Sequence, residues 1–292
     1  MRILYVAKHD SGGNDDEGAI THALRVLGHE VECIQETHGY KACDMRGDLL
    51  LFHKWDDVQS LRRVQCKKVF YYFDLVDYMD SAIVARNAQR IAWMGRIMPF
   101  VDRGFCTDGD WAARHPDKLT WLAQGADERI VGRSTQTLFT TSPILFTGIS
   151  RNGGHGRREF VELMKKTYEK DFAHYETGLY REELAKEIHN TKIVVAPNAP
   201  VTNRYWSNRV YNALGFGAFM LHPRCRRLES HYEHSIEIVY YDSLEELVDL
   251  LIPWYVVKPH IRRRIAEAGL KRTQSEHLYR HRMTTLLEIA CV

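Results

Sequence analysis

Apolar and polar positions alternate along this chain with two distinct periods, and the period switches about every ten to fifteen residues. Short apolar runs of four to six residues read as buried strands, and each is followed by a stretch with helical spacing. Arg2–Ala7 is predicted as a strand. Glu17–Leu27 follows as a helix with Ile20, Ala23, Leu24 and Leu27 on one face, and Gly28 ends it. Strands are then predicted at Val31–Ile34, Asp48–His53, Val69–Phe73, Gly104–Thr107 and Leu119–Leu122, with helices from Val58 and across Ala82–Met98. The stretch Arg133–Ser142 is polar, rich in Ser and Thr, and followed by Pro143, as expected of a linker.

The alternation then restarts. Ile144–Thr147, Phe172–Tyr175, Ile193–Ala196 and Phe219–His222 are predicted strands, separated by helices at Arg158–Thr167, Glu182–His189 and Ser207–Leu214. Ser243 and Glu246 have the spacing of a capping box for a helix over Leu244–Leu251. Helices near Pro259–Ala268 and Glu276–Ala290 finish the chain. Strands alternating with helices imply parallel sheets covered on both faces. Two such series predict an α/β fold of two Rossmann-like, doubly wound domains facing a cleft. They are residues 1–138 and 139–292, with the last helix free to cross back to the first. Ligands in such folds sit at the carboxyl ends of strands.

Composition narrows the class. The 292 residues are 45% hydrophobic and 27% charged, which suits a soluble globular protein with a sizeable core. No apolar run approaches a membrane span, and the N-terminus reads as a strand rather than a leader. Six cysteines without a CxxC pair fit a reduced, cytoplasmic setting. Net charge is +2, unevenly spread. Residues 1–140 hold 18 Lys+Arg against 20 Asp+Glu, and residues 141–292 hold 22 against 18. A mildly basic second half suits a phosphate-bearing ligand. The sequence sets no oligomeric state.

Three stretches carry candidate chemistry. "DSGGNDDEG" joins the first strand to its helix, where Gly12 and Gly13 let backbone approach an anion closely. It is neither GxGxxG nor a Walker loop, and a plain βα turn with acidic capping residues explains it as well. "TGISRNGGHGRR" stands at the equivalent place in the second half. Gly148, Arg151 and Arg157 there combine backbone amides and guanidinium groups in the way a diphosphate requires, against the alternative of a solvated surface loop. In "NRVYNALGFGAFMLHP", a cap at Ser207 puts Asn208, Arg209 and Asn212 at the start of a short helix. Arg209 and Asn212 share a face, and Gly215 and Gly217 permit a tight exit into the next strand.

That last stretch, with "EIVYYDSLEELVDLLIPWYV" and "RRRIAEAGLKRTQSEHLYRHRMTTLLE", resembles the C-terminal region of the CgeB-like glycosyltransferases. These are similar to the wider family of retaining, family 4-type nucleotide-sugar transferases with the GT-B fold. The resemblance covers about residues 142–290, and "GG…EGAITHALRVLGHEV" extends it to the N-terminus. It implies a nucleotide sugar docked mainly on the second domain and an acceptor mainly on the first. Arg151 and Arg157 fall where the family's basic residues hold the diphosphate. Asn212 falls where many relatives have a Glu for the ribose hydroxyls, and Arg204 where the first Glu of their Glu-x7-Glu pair stands. This chain departs from the pattern at both. An amide still bonds a ribose hydroxyl, whereas the carboxylate facing the sugar is lost.

The expected activity is transfer of a sugar from a nucleotide sugar to an acceptor hydroxyl, with no metal and no other cofactor. An inverting mechanism needs a base at the strand ends of the first domain: Asp74 in "YYFDLVDYMD", with Asp77 and His53 as alternatives. The resemblance favours retention, which needs none. For the acceptor, compact members of this fold are common among bacteriophage enzymes that modify hydroxymethylated pyrimidines in DNA. Arg204, Tyr205 and Trp206, with Tyr279, Arg280 and Arg282, would suit a polyanion or plain packing. Cell-wall glycans, proteins, small molecules and a non-catalytic sugar-nucleotide-binding module are the alternatives. Two rival chemistries rest on Asp108-Gly109-Asp110, a DxD metal signature, and on His222, Cys225, His231 and His234, whose spacing would suit zinc.

Overall fold

The computed structural model describes residues 1–9, 15–55, 57–76, 84–132, 143–150, 156–176, 179, 181–197 and 202–291. The chain divides into two compact units, Met1–Glu128 with Tyr279–Val292, and Arg129–Leu278. The division therefore falls ten residues ahead of the expected boundary at 138. The stretch Arg133–Ser142 lies outside the described residues.

The first unit is built on a parallel sheet of β1 (Arg2–Ala7), β2 (Glu30–Gln35), β3 (Leu49–Phe52), β4 (Lys67–Tyr72), β5 (Arg103–Cys106) and β6 (Leu119–Trp121). Their order is β2-β1-β3-β4-β5-β6. Successive residues of a strand point to opposite faces, so β1 feeds two cores. Ile3, Tyr5 and Ala7 pack with Ala19, Ile20, Ala23 and Leu24 of α1 (Asp16–Val26). Leu4 and Val6 pack on the other face with Leu61 of α2 (Val58–Arg63), Met94 of α3 (Val84–Ile97) and Ala112 of α4 (Gly109–Arg114). Each such large apolar side chain contributes roughly 1.5–3 kcal/mol when fully buried. The last helix, α10 (Tyr279–Cys291), places Tyr279, Met283, Leu286 and Leu287 in the same core as α1, so the C-terminus belongs to the first unit.

The second unit carries a parallel five-stranded sheet in the order β11-β10-β9-β7-β8. Its strands are β7 (Ile144–Thr147), β8 (Phe172–Tyr175), β9 (Ile193–Val195), β10 (Met220–Pro223) and β11 (Val239–Tyr241). The helices α5 (Arg157–Tyr168), α6 (Arg181–His189), α7 (Arg209–Gly215), α8 (Ile252–Val256) and α9 (Pro259–Glu276) accompany them. The strand order reverses at β7, with β8 on one side and β9 on the other. That is the topological switch point where doubly wound sheets open a crevice.

Differences from the expected elements have local causes. The strand β11 has only three residues and no polar alternation, so it gives no period to read. Ser243 does accept from the Glu246 amide at 3.0 Å, but the Glu246 carboxylate reaches back to the Asp242 amide at 2.7 Å, one residue beyond a capping box. The helix that follows is wound as a π-turn over Glu246–Leu251, just ahead of Pro253, which has no amide to close a regular turn. No helix among the described residues is long and apolar enough to cross a membrane.

A candidate sugar-nucleotide site in the second unit

Gly148, Arg157, Asn208, Arg209 and Asn212 are the described members of the expected donor set. All five line one cavity of about 360 Å³, together with Thr147, Ile149, Tyr175, Glu176, Leu179 and Leu184. It opens at the carboxyl ends of β7 and β8, against the start of α7. Sequence separation between its walls reaches 65 residues (Thr147 to Asn212), so only the parallel sheet brings them together.

Each wall has its own cause. At the end of β7 the ladder continues one residue further, with the Gly148 amide donating to Tyr175 at 2.9 Å and the His174 ring donating to the Gly148 carbonyl at the same distance. Gly148 has φ +147°, and a Cβ there would stand 2.5 Å from a terminal nitrogen of Arg209. Glycine is required on both counts. Helix α7 buries Val210, Tyr211, Ala213 and Leu214, which turns Arg209 and Asn212 to the cavity. Its cap position is Asn208 rather than Ser207, and the Asn208 side chain makes no cap bond. At the far end Gly217, with φ +78°, reverses the chain toward β10.

The electrostatics are unusual for a protein surface. Burial, and then the neighbouring guanidinium of Arg157, pull the Arg209 pKa from 12.5 down to about 10. Arg157 is lowered as well, mainly by burial. Its Nε has no hydrogen-bond partner, and one terminal nitrogen makes only a long 3.4 Å contact to the Ile149 carbonyl. Arg209 lies over the Phe146 ring at 5.5 Å. Among the described residues neither guanidinium is paired with a carboxylate. Two poorly solvated cations side by side are costly until an anion arrives. The cavity is chemically suited to a ligand with two adjacent anionic groups.

Other expectations fare differently. Gly12, Gly13, Asp77 and Arg151 lie outside the described residues. Of the base candidates, His53 is buried with both ring nitrogens engaged, Nδ1 donating to the Tyr71 carbonyl at 2.5 Å and Nε2 accepting from the Tyr5 hydroxyl. Burial holds its pKa near 4. It is a neutral core histidine with no lone pair left for a substrate. Asp74 follows β4 and pairs with Arg90 at 3.2 Å; its side chain is 47% exposed, so its carboxylate is reachable.

The rival metal sets dissolve into structural roles. Asp108 is buried and accepts from the Trp111 and Val76 amides, both at 3.0 Å, so it caps α4 and ties down a loop. Nδ1 of His222 donates to the Pro223 carbonyl, Cys225 donates to the Thr202 carbonyl, and His231 meets the Tyr211 hydroxyl. His234 accepts from the Tyr240 amide. No group of three or more His, Cys, Asp or Glu among the described residues could hold a metal ion.

Of the six residues read as suiting either a polyanion or plain packing, three are packed. Trp206 and Tyr279 are in the core, and Arg282 is buried with Nε donating to the Gln124 carbonyl. Missed by sequence reasoning were Tyr175, Glu176, Leu179 and Leu184. Their signal was available in the strand rule alone, since all lie at or after the carboxyl end of β8.

Comparison with solved structures places this architecture. The fold resembles sucrose-phosphate synthase from Thermosynechococcus elongatus, with TM-score 0.69 and 12% identity, covering 100% of this chain and 98% of that one. It resembles Anabaena HepE, solved in complex with UDP and glucose, with TM-score 0.64 and 10% identity over 100% of both chains. It also resembles α,α-trehalose 6-phosphate synthase from Burkholderia multivorans, at 0.66 and 10% identity over 99% of both. No curated protein matches the sequence. Residues 149–288 match the family described as Glycosyl transferase-like (Glyco_trans_1_2). The fold is that of the GT-B glycosyltransferases. The family match begins at Ile149 and takes in the remaining walls of the cavity.

Proposed function

We propose that the enzyme transfers a sugar from a nucleoside-diphosphate sugar to an acceptor hydroxyl, with the donor held in the cavity at the ends of β7 and β8. The observation that carries this reading is the pair of close, unneutralised guanidinium groups of Arg157 and Arg209 in one cavity. A diphosphate supplies two linked anions at the spacing such a pair can share. Asn208 and Asn212 then face the nucleoside, where amides bond ribose hydroxyls. The solved HepE complex with UDP and glucose supports the same class of donor.

Chemically, the glycosidic C–O bond to the β-phosphate breaks as the acceptor oxygen attacks the anomeric carbon. Negative charge grows on the departing diphosphate. Two fixed cations, already desolvated, stabilise that charge more than the ground state, which is the condition for catalysis rather than mere binding. This gives the leaving group protein donors in place of a metal. For an inverting route Asp74 is the base to test. Retention, favoured by the sequence resemblance, needs no such group. The narrower likeness to the CgeB-like transferases rests on the sequence stretches quoted above.

For the acceptor, we propose hydroxymethylated pyrimidine in DNA as the first to test. Its support is the basic second half of the chain, now without the buried Trp206, Tyr279 and Arg282. Nucleoside-diphosphate release from a panel of UDP- and GDP-sugars, with hydroxymethylated duplex, glycan and small-molecule acceptors, tests donor and acceptor together. Release with any acceptor supports transfer. Release with none, alongside tight nucleotide-sugar binding, would identify a binding module.

A further inference from the structure

One carboxylate, Glu176, lines the cavity beside its cations. Glu176, just past β8, offers both oxygens to Ser150: Oε2 accepts from the Ser150 amide at 2.8 Å, and Oε1 accepts from the Ser150 hydroxyl. Ser150 is itself buried. It lies two residues beyond Gly148, where the β7–β8 ladder has ended and its amide has no strand partner. A buried amide left there would cost a full desolvation penalty, and the carboxylate removes it. The neighbouring residue, Ile149, offers its carbonyl to the Arg157 guanidinium. Neither Arg157 nor Arg209 is held by Glu176, and the groups that shift them are burial, each other and Tyr205.

We infer that Glu176 is a positioning residue for the donor diphosphate: by gripping Ser150 from the end of β8 it fixes the backbone on which Arg157 rests. The inference builds on the donor site proposed above and adds a residue that acts through Arg157 without touching phosphate. A carboxylate suits this task because its two oxygens can accept from the amide and the hydroxyl at once.

The test is a double-mutant cycle read with two kinds of ligand. Affinities of UDP, GDP, uridine and guanosine are measured for wild type, Glu176→Ala, Arg157→Ala and the double variant. Glu176→Ala is expected to weaken the diphosphates about tenfold, in the range of one charge-assisted hydrogen bond. The double variant is expected to bind no more weakly than Arg157→Ala alone. The nucleosides, which lack phosphate, are expected to bind equally to wild type and Glu176→Ala.

Two results would overturn the inference while leaving the donor site standing. They are independent, multiplying losses in the double variant, and a loss of nucleoside affinity in Glu176→Ala, which would make Glu176 a direct ligand contact. Unchanged diphosphate affinity in Arg157→Ala removes the donor site and this inference with it. If Glu176→Ala does not fold, Glu176→Gln and Ser150→Ala carry the same cycle. Each removes part of the grip and is expected to give a smaller loss, again absent in the Arg157→Ala background; a loss that persists there refutes the inference.

Discussion

Replacing Arg209 with Met should make the empty protein more stable and its nucleotide complex weaker. Methionine keeps most of the unbranched apolar stem and removes the charge. In the free protein that charge is a burden. A fall in pKa from 12.5 to about 10 corresponds to roughly 3 kcal/mol of penalty on the charged form, at about 1.4 kcal/mol per pH unit. The sign follows from linkage. A basic group whose folded pKa is depressed lowers stability at every pH below that pKa, so at neutral pH the whole penalty applies. Relief of part of it, after discounting the Phe146 contact, predicts a gain of about 1–2 kcal/mol, or a few degrees in Tm for a chain of this size.

Binding should move the other way. Loss of one charge-assisted contact, worth about 1.5–3 kcal/mol, raises Kd for UDP or GDP by roughly 10- to 150-fold. Calorimetric unfolding without ligand and titration with each nucleotide give both numbers. Arg158→Met is the control, because Arg158 is exposed and paired with Glu162 at 2.9 Å, outside the cavity. An Arg209→Met protein with lowered Tm and unchanged nucleotide affinity would refute the reasoning.

Four further outcomes are expected. Gly148→Ala should fold and lose nucleotide affinity by about tenfold or more, since its Cβ displaces the Arg209 guanidinium; titration checks this, and wild-type affinity would contradict it. Activity should survive EDTA in a turnover assay, and loss restored by manganese would instead place a metal at the leaving group. Asp74→Asn should lower kcat on the order of 10²-fold or more if the reaction inverts; product anomer analysis is the check, and a small loss with retained configuration excludes Asp74 as a base. Glu17, raised by burial to about 7, favours folding below its unfolded value near 4.5 and loses that contribution as pH rises through 7. Glu17→Gln should therefore raise Tm at pH 8 and much less at pH 4.5, and equal shifts at both would disprove the assignment.

Much of the fold was legible because parallel strands buried on both faces leave apolar runs that helices interrupt. Arg2–Ala7 and Ile144–Thr147 are found at the expected residues for that reason. Where the period was too short to read, as at Val239–Tyr241, the strand was missed. Part of the cavity lining was legible through a rule of position: glycine and arginine after a strand end. Gly148 and Arg157 obey that rule, and they line one cavity with Arg209, which was read from the start of its helix. The rule said nothing of Glu176, whose role depends on hydrogen bonds to Ser150 across the sheet. His53 and Trp206 misled because residue type does not reveal burial. Imidazole and indole are as much at home in a core with a satisfied polar atom as in a site.

The most direct measurement is a crystal structure of the protein with a bound nucleoside diphosphate. The account predicts the diphosphate in the cavity at the ends of β7 and β8, within hydrogen-bond distance of both Arg157 and Arg209, with the ribose toward Asn208 and Asn212. A nucleotide bound elsewhere, with both guanidiniums left without an anion, would contradict it.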